Sequence, residues 1–488
     1  MAAGQPAREY GRLAGMIAAR LVFLAVLPGL AVFGIAAQPE VKGGLTAEQQ
    51  SCVDKGKRFE RAGWIYLHVA GEARDRGFQH GYLLANEIAE GLRMTRVSWE
   101  HETGMEWEWV VKRAAAMFVP KIDAENLAEL DGIAEGARAA GIQVSRDDVI
   151  AYNGILELQD YWWPMELKKI KDAPVGRAAR QSCSSFIATG RWTRGGNVVL
   201  GHNTMQGYAD ALPLVVQDIA PPKGRRILWQ TTAGWIHSGM DFFITDAGLV
   251  GSETTIGGFE GFDTNGIPEF ARMRRATQDA VSLDQWCEIM RRGNNGGYAN
   301  AWLLGDVNSR EIARLELGLK FVAYEKKRDG YFIGSNVAED RKILKLETDD
   351  NDVDIRLSSV ARRVRWKQLM KEHAGKIDVE LAKRFEADHF DAFRGKVWPG
   401  GRTLCGHFER DPEASGHGVP FECSGTVDGK VVDAAMAKQM SLAARWGTAC
   451  GMPFVAGKFL RAHPQFEWMS GVLKDRPGEG WAVFRAGE

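Results

Sequence analysis

The chain has little charge of one sign: 62 Lys and Arg stand against 63 Asp and Glu, a formal net charge of −1. That balance leaves no electrostatic footprint for nucleic acid or for an anionic membrane surface. Neither a CxxC nor an HxxxH spacing occurs, so the six cysteines give a zinc site little support, and no metal or other cofactor is expected. Internal repeats and low-complexity tracts are absent, and beyond Ala37 no apolar run reaches membrane length. What remains is an ordinary globular composition, 45% hydrophobic and 26% charged, in 488 residues. Such a chain can bury one large domain or two moderate ones.

The first residues differ from the rest. Arg8, Arg12 and Arg20 precede LVFLAVLPGLAVFGIAA, an apolar run from Leu21 to Ala37 interrupted by Pro28. A basic flank, a short apolar stretch and small residues before Gln38 have the form of a secretory signal peptide over 1–37. A retained anchor over 21–37 is the alternative. Either way the remainder is expected outside the cytoplasm, secreted or periplasmic, touching membrane only through that segment or through its substrate. In an oxidising compartment, Cys405 and Cys423, which bracket a loop rich in Gly, Pro and His, become a candidate disulfide. Cys52, Cys287 and Cys450 are dispersed and read as buried thiols.

From Ala47 to Leu167 the apolar spacing is helical: Phe78, Leu83, Leu84, Ile88 and Leu92 share one face, and Ser145 is placed to cap SRDDVIAYNGILELQDYWW. Residues 38–167 are therefore expected to be mostly α. KKIKDAPVGRAARQ, opening at Lys168, has five basic residues, one Pro and no apolar periodicity, so 168–182 reads as an exposed connector. Short β-rich runs follow, among them SSFIATG, NVVLGHN, LPLVVQDI, RRILWQT and GLVGSETT. Two helices are expected in PEFARMRRATQDA and SLDQWCEIMRR, and others over Asp354–His373 and Val432–Trp446. The expected fold class is α+β, one layered domain whose helices cover sheet on both faces.

RAARQSCSSFIATGRWTRGGNVVLGHNTM concentrates the chemistry. A cut between Ser182 and Cys183 would place a thiol and an α-amino group on one residue. The amine, with an ordinary pKa of about 7.7–8.0, can serve as base for the thiol, so no His–Asp relay is needed. Acyl transfer to sulfur creates an oxyanion. Polar side chains at nearby strand ends, His202 and Asn203 across the Gly-Gly-Asn turn and Asn300 in NNGGYANAW, are candidates to meet it. Each residue also has an ordinary reading: Cys183 as a core thiol, His202 as a structural histidine, Asn300 as a turn amide, Glu253 as a solvated strand end.

Taken in order, CSSFIATG, GHNTM, GSETT, NNGGYANAWLLGD and GTVDGK resemble the phospholipase B-like family of N-terminal nucleophile (Ntn) hydrolases, relatives of the penicillin acyltransferases. RGFQHG is similar to a segment of the acyltransferase relatives. The resemblance implies an Ntn-hydrolase αββα four-layer sandwich over 183–488 with a helical N-terminal part. It also implies autocatalytic cleavage before Cys183 and hydrolysis of acyl amide or ester bonds of a small molecule or lipid through an acyl-thioester. On this resemblance Cys183 is the nucleophile, His202 and Asn203 belong to the Gly-His motif, and Asn300 is the oxyanion amide. Glu253, Thr254 and Trp302 are assigned to the substrate side. Met205 stands where the acyltransferases carry an Asp and the phospholipase B-like proteins a Trp, which leaves pocket shape open. Asp388, His389, Cys405 and His407 fall in a segment similar to one in the family, read first as a disulfide-braced loop, then as a site contribution or a metal site. An acyltransferase of the penicillin type and a non-catalytic binding protein on the same scaffold are the alternative functions.

Overall fold

WIYLHVA is a run of β-branched and aromatic residues inside the region expected to be helical, and it forms a strand. In the computed structural model, which describes residues 44–171, 183–210, 214–413 and 418–488, it is β2 (Trp64–Ala70), paired antiparallel with β1 (Lys57–Arg61). Ala62 and Gly63, both at positive φ (48° and 79°), make the two-residue turn that suits a right-handed twist. The signal segment 1–37 and Ser182 lie outside the described residues. So does most of the expected connector, whose first residues, Lys168–Lys171, instead finish the helix Trp163–Lys171.

β3 (Ser184–Thr189) and β4 (Val199–Gly207) form an antiparallel hairpin with Ser185 opposite His202. Next come β5 (Leu214–Ala220), β6 (Ile227–Thr232), β7 (Phe242–Thr245), β8 (Leu249–Thr255), β9 (Asn300–Asp306), β10 (Glu311–Leu317) and β11 (Val322–Lys327). With β1 and β2 they make a nine-stranded sheet in the order β1-β2-β5-β6-β7-β8-β9-β10-β11, antiparallel except where β2 meets β5 in parallel. β12 (Gly330–Gly334) returns to pair with β3. After a small pair, β13 (Phe390–Asp391) and β14 (Lys396–Val397), the chain adds β15 (Ser424–Asp433), β16 (Ser441–Trp446) and β17 (Ala482–Arg485). The second sheet thus runs β12-β3-β4-β15-β16-β17.

The sheets pack face to face. Ser185 Oγ lies 2.6 Å from Ser252 Oγ across the gap, and Gly305 stands where a Cβ would strike Ile187 and Val198. On the far side of the nine-stranded sheet, Trp286 of helix Leu283–Arg291 stacks on Phe243 (5.6 Å between ring centroids) and meets Trp302 (4.9 Å). Beyond the six-stranded sheet, Trp366 of helix Ser358–Glu372 and Phe385 of helix Val379–Glu386 close on Phe186 at 5.1 and 5.8 Å. The architecture is therefore an αββα sandwich within one compact unit, Gly43–Glu488. Because both faces of each sheet are covered, strands such as SSFIAT are buried along their whole length.

Helices Ala73–Leu83 and Ala124–Ala139 cross at glycines: a Cβ on Gly77, Gly81, Gly132 or Gly136 would come within 2.0–2.2 Å of a backbone oxygen of the other helix. RGFQHG is thus a close-packing motif here, and its His80 accepts the Gly234 N–H at 2.8 Å. Ser145 caps its helix as expected, in a reciprocal box with Asp148. The helix expected over Val432–Trp446 is corrected: only the short helix Ala434–Lys438 forms, and Met440 at φ 48° then redirects the chain into β16. The Cys405–Cys423 bridge is also corrected. Both are buried free thiols, and Cys405 hydrogen-bonds with Cys450 instead. At the sandwich edge, Arg61 donates to Val483 O (2.8 Å), Tyr66 to Arg485 O (3.0 Å) and Gly487 N–H to Asp218 (2.8 Å). Among the described residues no helix is long and apolar enough to cross a membrane.

Candidate active site

Cys183 immediately precedes β3 and lines a cleft whose apolar side is formed by Ile155, Leu156, Met205 and Trp235. Polar lining comes from Gln159, Thr204, Asp241, Thr255 and Tyr298. Ile155 and Leu156 begin the passage that runs into a π turn over Leu158–Trp162, a local widening of the helix frequent at functional sites. Cys183 is 1% exposed and adopts φ 75°, the left-handed region that a side-chain-bearing residue occupies only under constraint. The constraint is visible: Arg362, fully buried, donates from Nη1 to Cys183 O at 2.7 Å and from Nη2 to Asn336 Oδ1 at 2.6 Å.

Three potential ligating or proton-transferring atoms, on Cys183, His202 and Asp241, lie within 4.8 Å of one another. Burial pushes the Cys183 thiol well above its ordinary range; the Asp241 and Glu253 carboxylates push the same way, and the Met205 N–H opposes them. His202 is kept neutral chiefly by burial. Its Nε2 sits 2.9 Å from Glu253 O, so Nε2 carries the proton and Nδ1 holds a buried lone pair with no partner. Asp241 and Glu253 share the Tyr298 hydroxyl, at 2.9 and 3.1 Å. Burial pushes Asp241 up to about 6 and raises Glu253 further, with Asp241 as the second cause, so the two carboxyl groups titrate as a pair. Behind them Lys430 of the GTVDGK segment is wholly buried, bonded to Asp428, Thr204 and Met240 O at 2.7, 2.6 and 2.9 Å.

The other expected residues separate by strand alternation. Asn203 follows His202 directly and so points to the opposite face, where its amide donates to Glu386 O and Leu404 O at 2.7 and 3.0 Å. It anchors the outer layer and does not reach the sulfur. Thr254 packs on Gly334 between the sheets. Trp302 is corrected from substrate contact to core: it is fully buried against Trp286 and Phe243 and does not line the cleft. Asn300 stands opposite Thr255, which does line it, and both atoms of its buried amide lack a partner. Asp241, Tyr298 and Arg362 escaped the sequence reading. Their only local signal was weak: positive φ at Asp241 and Tyr298 implies turns, which the sequence marks there with Gly239 and Gly297.

The family profile described as Phospholipase B matches residues 110–322, a span that includes Cys183, His202, Asp241, Tyr298 and Asn300. The protein named "Putative phospholipase B-like 2" from Bos taurus is 28% identical over 142 residues, 26% of this chain and 24% of the relative. Its Homo sapiens counterpart is 26% identical over 167 residues, 31% of this chain and 27% of the relative. The aligned stretch therefore spans about a quarter of the relatives' length. Similar solved structures include a mutant of conjugated bile acid hydrolase from Clostridium perfringens, at 9% identity and TM-score 0.32, covering 54% of this chain and 89% of that one. Penicillin V acylase from Agrobacterium tumefaciens aligns at 10% identity and TM-score 0.30, covering 54% and 83%.

Proposed function

From the phospholipase B match and the grouping around one thiol, we propose that the chain is an exported Ntn hydrolase. It frees Cys183 by cutting itself after Ser182 and then hydrolyses acyl amide or ester bonds. The observation that carries this reading is the placement of Cys183: at the start of β3, strained, its carbonyl gripped by Arg362, its sulfur facing a cleft beside His202 and Asp241. In the uncut chain the thiol is held protonated by burial and nearby carboxylates. A freed α-amine supplies the missing base. It takes the thiol proton, and the Asp241 carboxylate, close to the sulfur, holds the resulting ammonium. The thiolate adds to the substrate carbonyl, and the ammonium returns its proton to the departing amine or alcohol, leaving a thioester. Water, deprotonated by the same amine, then releases the carboxylic acid and restores the thiol. Met205 N–H already donates to the sulfur, and the unpartnered Asn300 amide is the proposed oxyanion donor. The apolar wall of Ile155, Leu156 and Trp235 suits an acyl chain, lipid or otherwise.

Intact-mass analysis of purified wild type and Cys183→Ala tests the reading. The wild type should yield two fragments divided before Cys183 and hydrolyse N-acyl amino acids or phospholipids, whereas the variant stays whole and inactive. A Cys183→Ala chain that is still cut there, or a wild type that stays whole and binds without turnover, overturns it in favour of a binding protein.

A further inference from the structure

We propose that His389, Cys405, His407 and Cys450 form a closed tetrahedral binding site for Zn²⁺. The four ligand atoms lie within 4.8 Å of one another although no local spacing announces them. Cys405 and His407 sit two apart in the loop before β15, His389 comes from the β13 side, and Cys450 from the loop after β16. A tetrahedral zinc with Zn–N of about 2.0–2.1 Å and Zn–S of about 2.3 Å needs edges of about 3.3 Å between nitrogens and about 3.6 Å between nitrogen and sulfur. Nε2 of His389 and Nε2 of His407 are 3.2 Å apart, and Cys450 Sγ is 3.5 Å from His407 Nε2.

The surroundings set each donor for a metal. His407 Nδ1 lies 3.0 Å from Glu409 Oε1, so Nδ1 carries the proton and Nε2 turns its lone pair into the cluster. A carboxylate behind a ligating imidazole is a recurrent outer support of zinc sites. Met452 N–H donates to Cys450 Sγ at 3.3 Å across Gly451, whose φ of 79° folds the backbone around the sulfur. Two thiolates and two neutral imidazoles suit a borderline-soft dication, and four protein donors leave no open position, which marks a structural site. Binding replaces the two thiol protons, and the paired charges cancel in a buried place. Thr426 N–H and hydroxyl hold Gly406 O and Cys405 O, and Gly406 lies against Met205, whose N–H reaches Cys183. The ion would thus brace the loop that packs on β4, the partner of the strand Cys183 precedes. All four ligands lie outside the 110–322 family match, so the site does not follow from it.

The test uses the full chain with His389→Gln and Cys450→Ser, at the two partly exposed ligands, and Cys52→Ser as a thiol control. After reduction, incubation with Zn²⁺ and gel filtration, elemental analysis should find one zinc per chain in wild type and Cys52→Ser. The two ligand variants should lose it. Co²⁺ in place of zinc should give tetrahedral ligand-field bands with thiolate charge transfer, and Glu409→Gln should weaken affinity about 10–100-fold. Equal zinc in wild type and ligand variants would overturn the proposal. So would a Cys405–Cys450 disulfide whose reduction brings no metal uptake.

Discussion

Tyr298 holds two carboxyl groups with one hydroxyl, and that geometry has a measurable consequence. Its O–H donates toward Asp241 and Glu253, and for Asp241 the contact favours the ionised form against the burial that pushes it up to about 6. If Asp241 must be a carboxylate to hold the nucleophile's ammonium, turnover is present above that value and lost as pH falls through it. Tyr298→Phe removes the donor, so the acid limb of kcat should move to higher pH, read from a pH–rate profile on processed enzyme; an unmoved limb would detach the pair from catalysis. Asn300→Ala should lower kcat by about 10²–10³, the ordinary loss for an oxyanion donor, while chain cleavage proceeds. Unchanged kcat would remove Asn300 from the site. That Cys183 and His202 are neighbours could be read from the sequence because the Gly-Gly-Asn turn pairs their strands, and their potential ligand atoms lie within 4.8 Å of one another. Asn203 and Trp302 lie away from the cleft because residues one or two steps along a strand differ in face or depth. Arg362 carried no signal at all, since its meaning depends on a helix packing over β3 from more than a hundred residues away.

The helix pair Ala73–Leu83 and Ala124–Ala139 is held close by four glycines, and here two effects compete. Gly132→Ala gains about 1 kcal/mol of helix propensity. Its new Cβ would meet Arg74 O at 2.2 Å, a backbone atom that cannot step aside, and overpacking of this kind costs about 1–3 kcal/mol. The clash wins, so the variant should unfold at lower urea concentration than wild type; an equal or higher midpoint would show that the helices part freely. Elements with strong caps and one apolar face, such as the one Ser145 begins, were legible. Two were not. WIYLHVA was absorbed into a helical neighbourhood, and SLAARW has the composition of a helix but is buried over Ser441–Ala444 in a sheet, where burial of successive residues overrides propensity.

At the scale of the molecule, β2 and β5 pair in parallel across the segment where the cut is proposed, so the piece before Cys183 supplies a hairpin and several buried helices to the sheet built by the piece after it. A processed sample should therefore give two bands on a denaturing gel yet elute in gel filtration at the mass of the uncut chain. Separation without denaturant would contradict the strand order. The layered α+β class followed from a helical stretch succeeded by runs of strands and then mixed elements. Strand order did not, because a crossover that reaches back past a hundred residues leaves no trace in local spacing.

Residues 483–488 work as a buckle on this arrangement. Arg485 O, Val483 O and Gly487 N–H fasten the β17 margin to the hairpin of β1 and β2, with Asp218 as the catch. Alanine in place of Asp218 would take away the catch and leave that margin tied only through Arg61 and Tyr66.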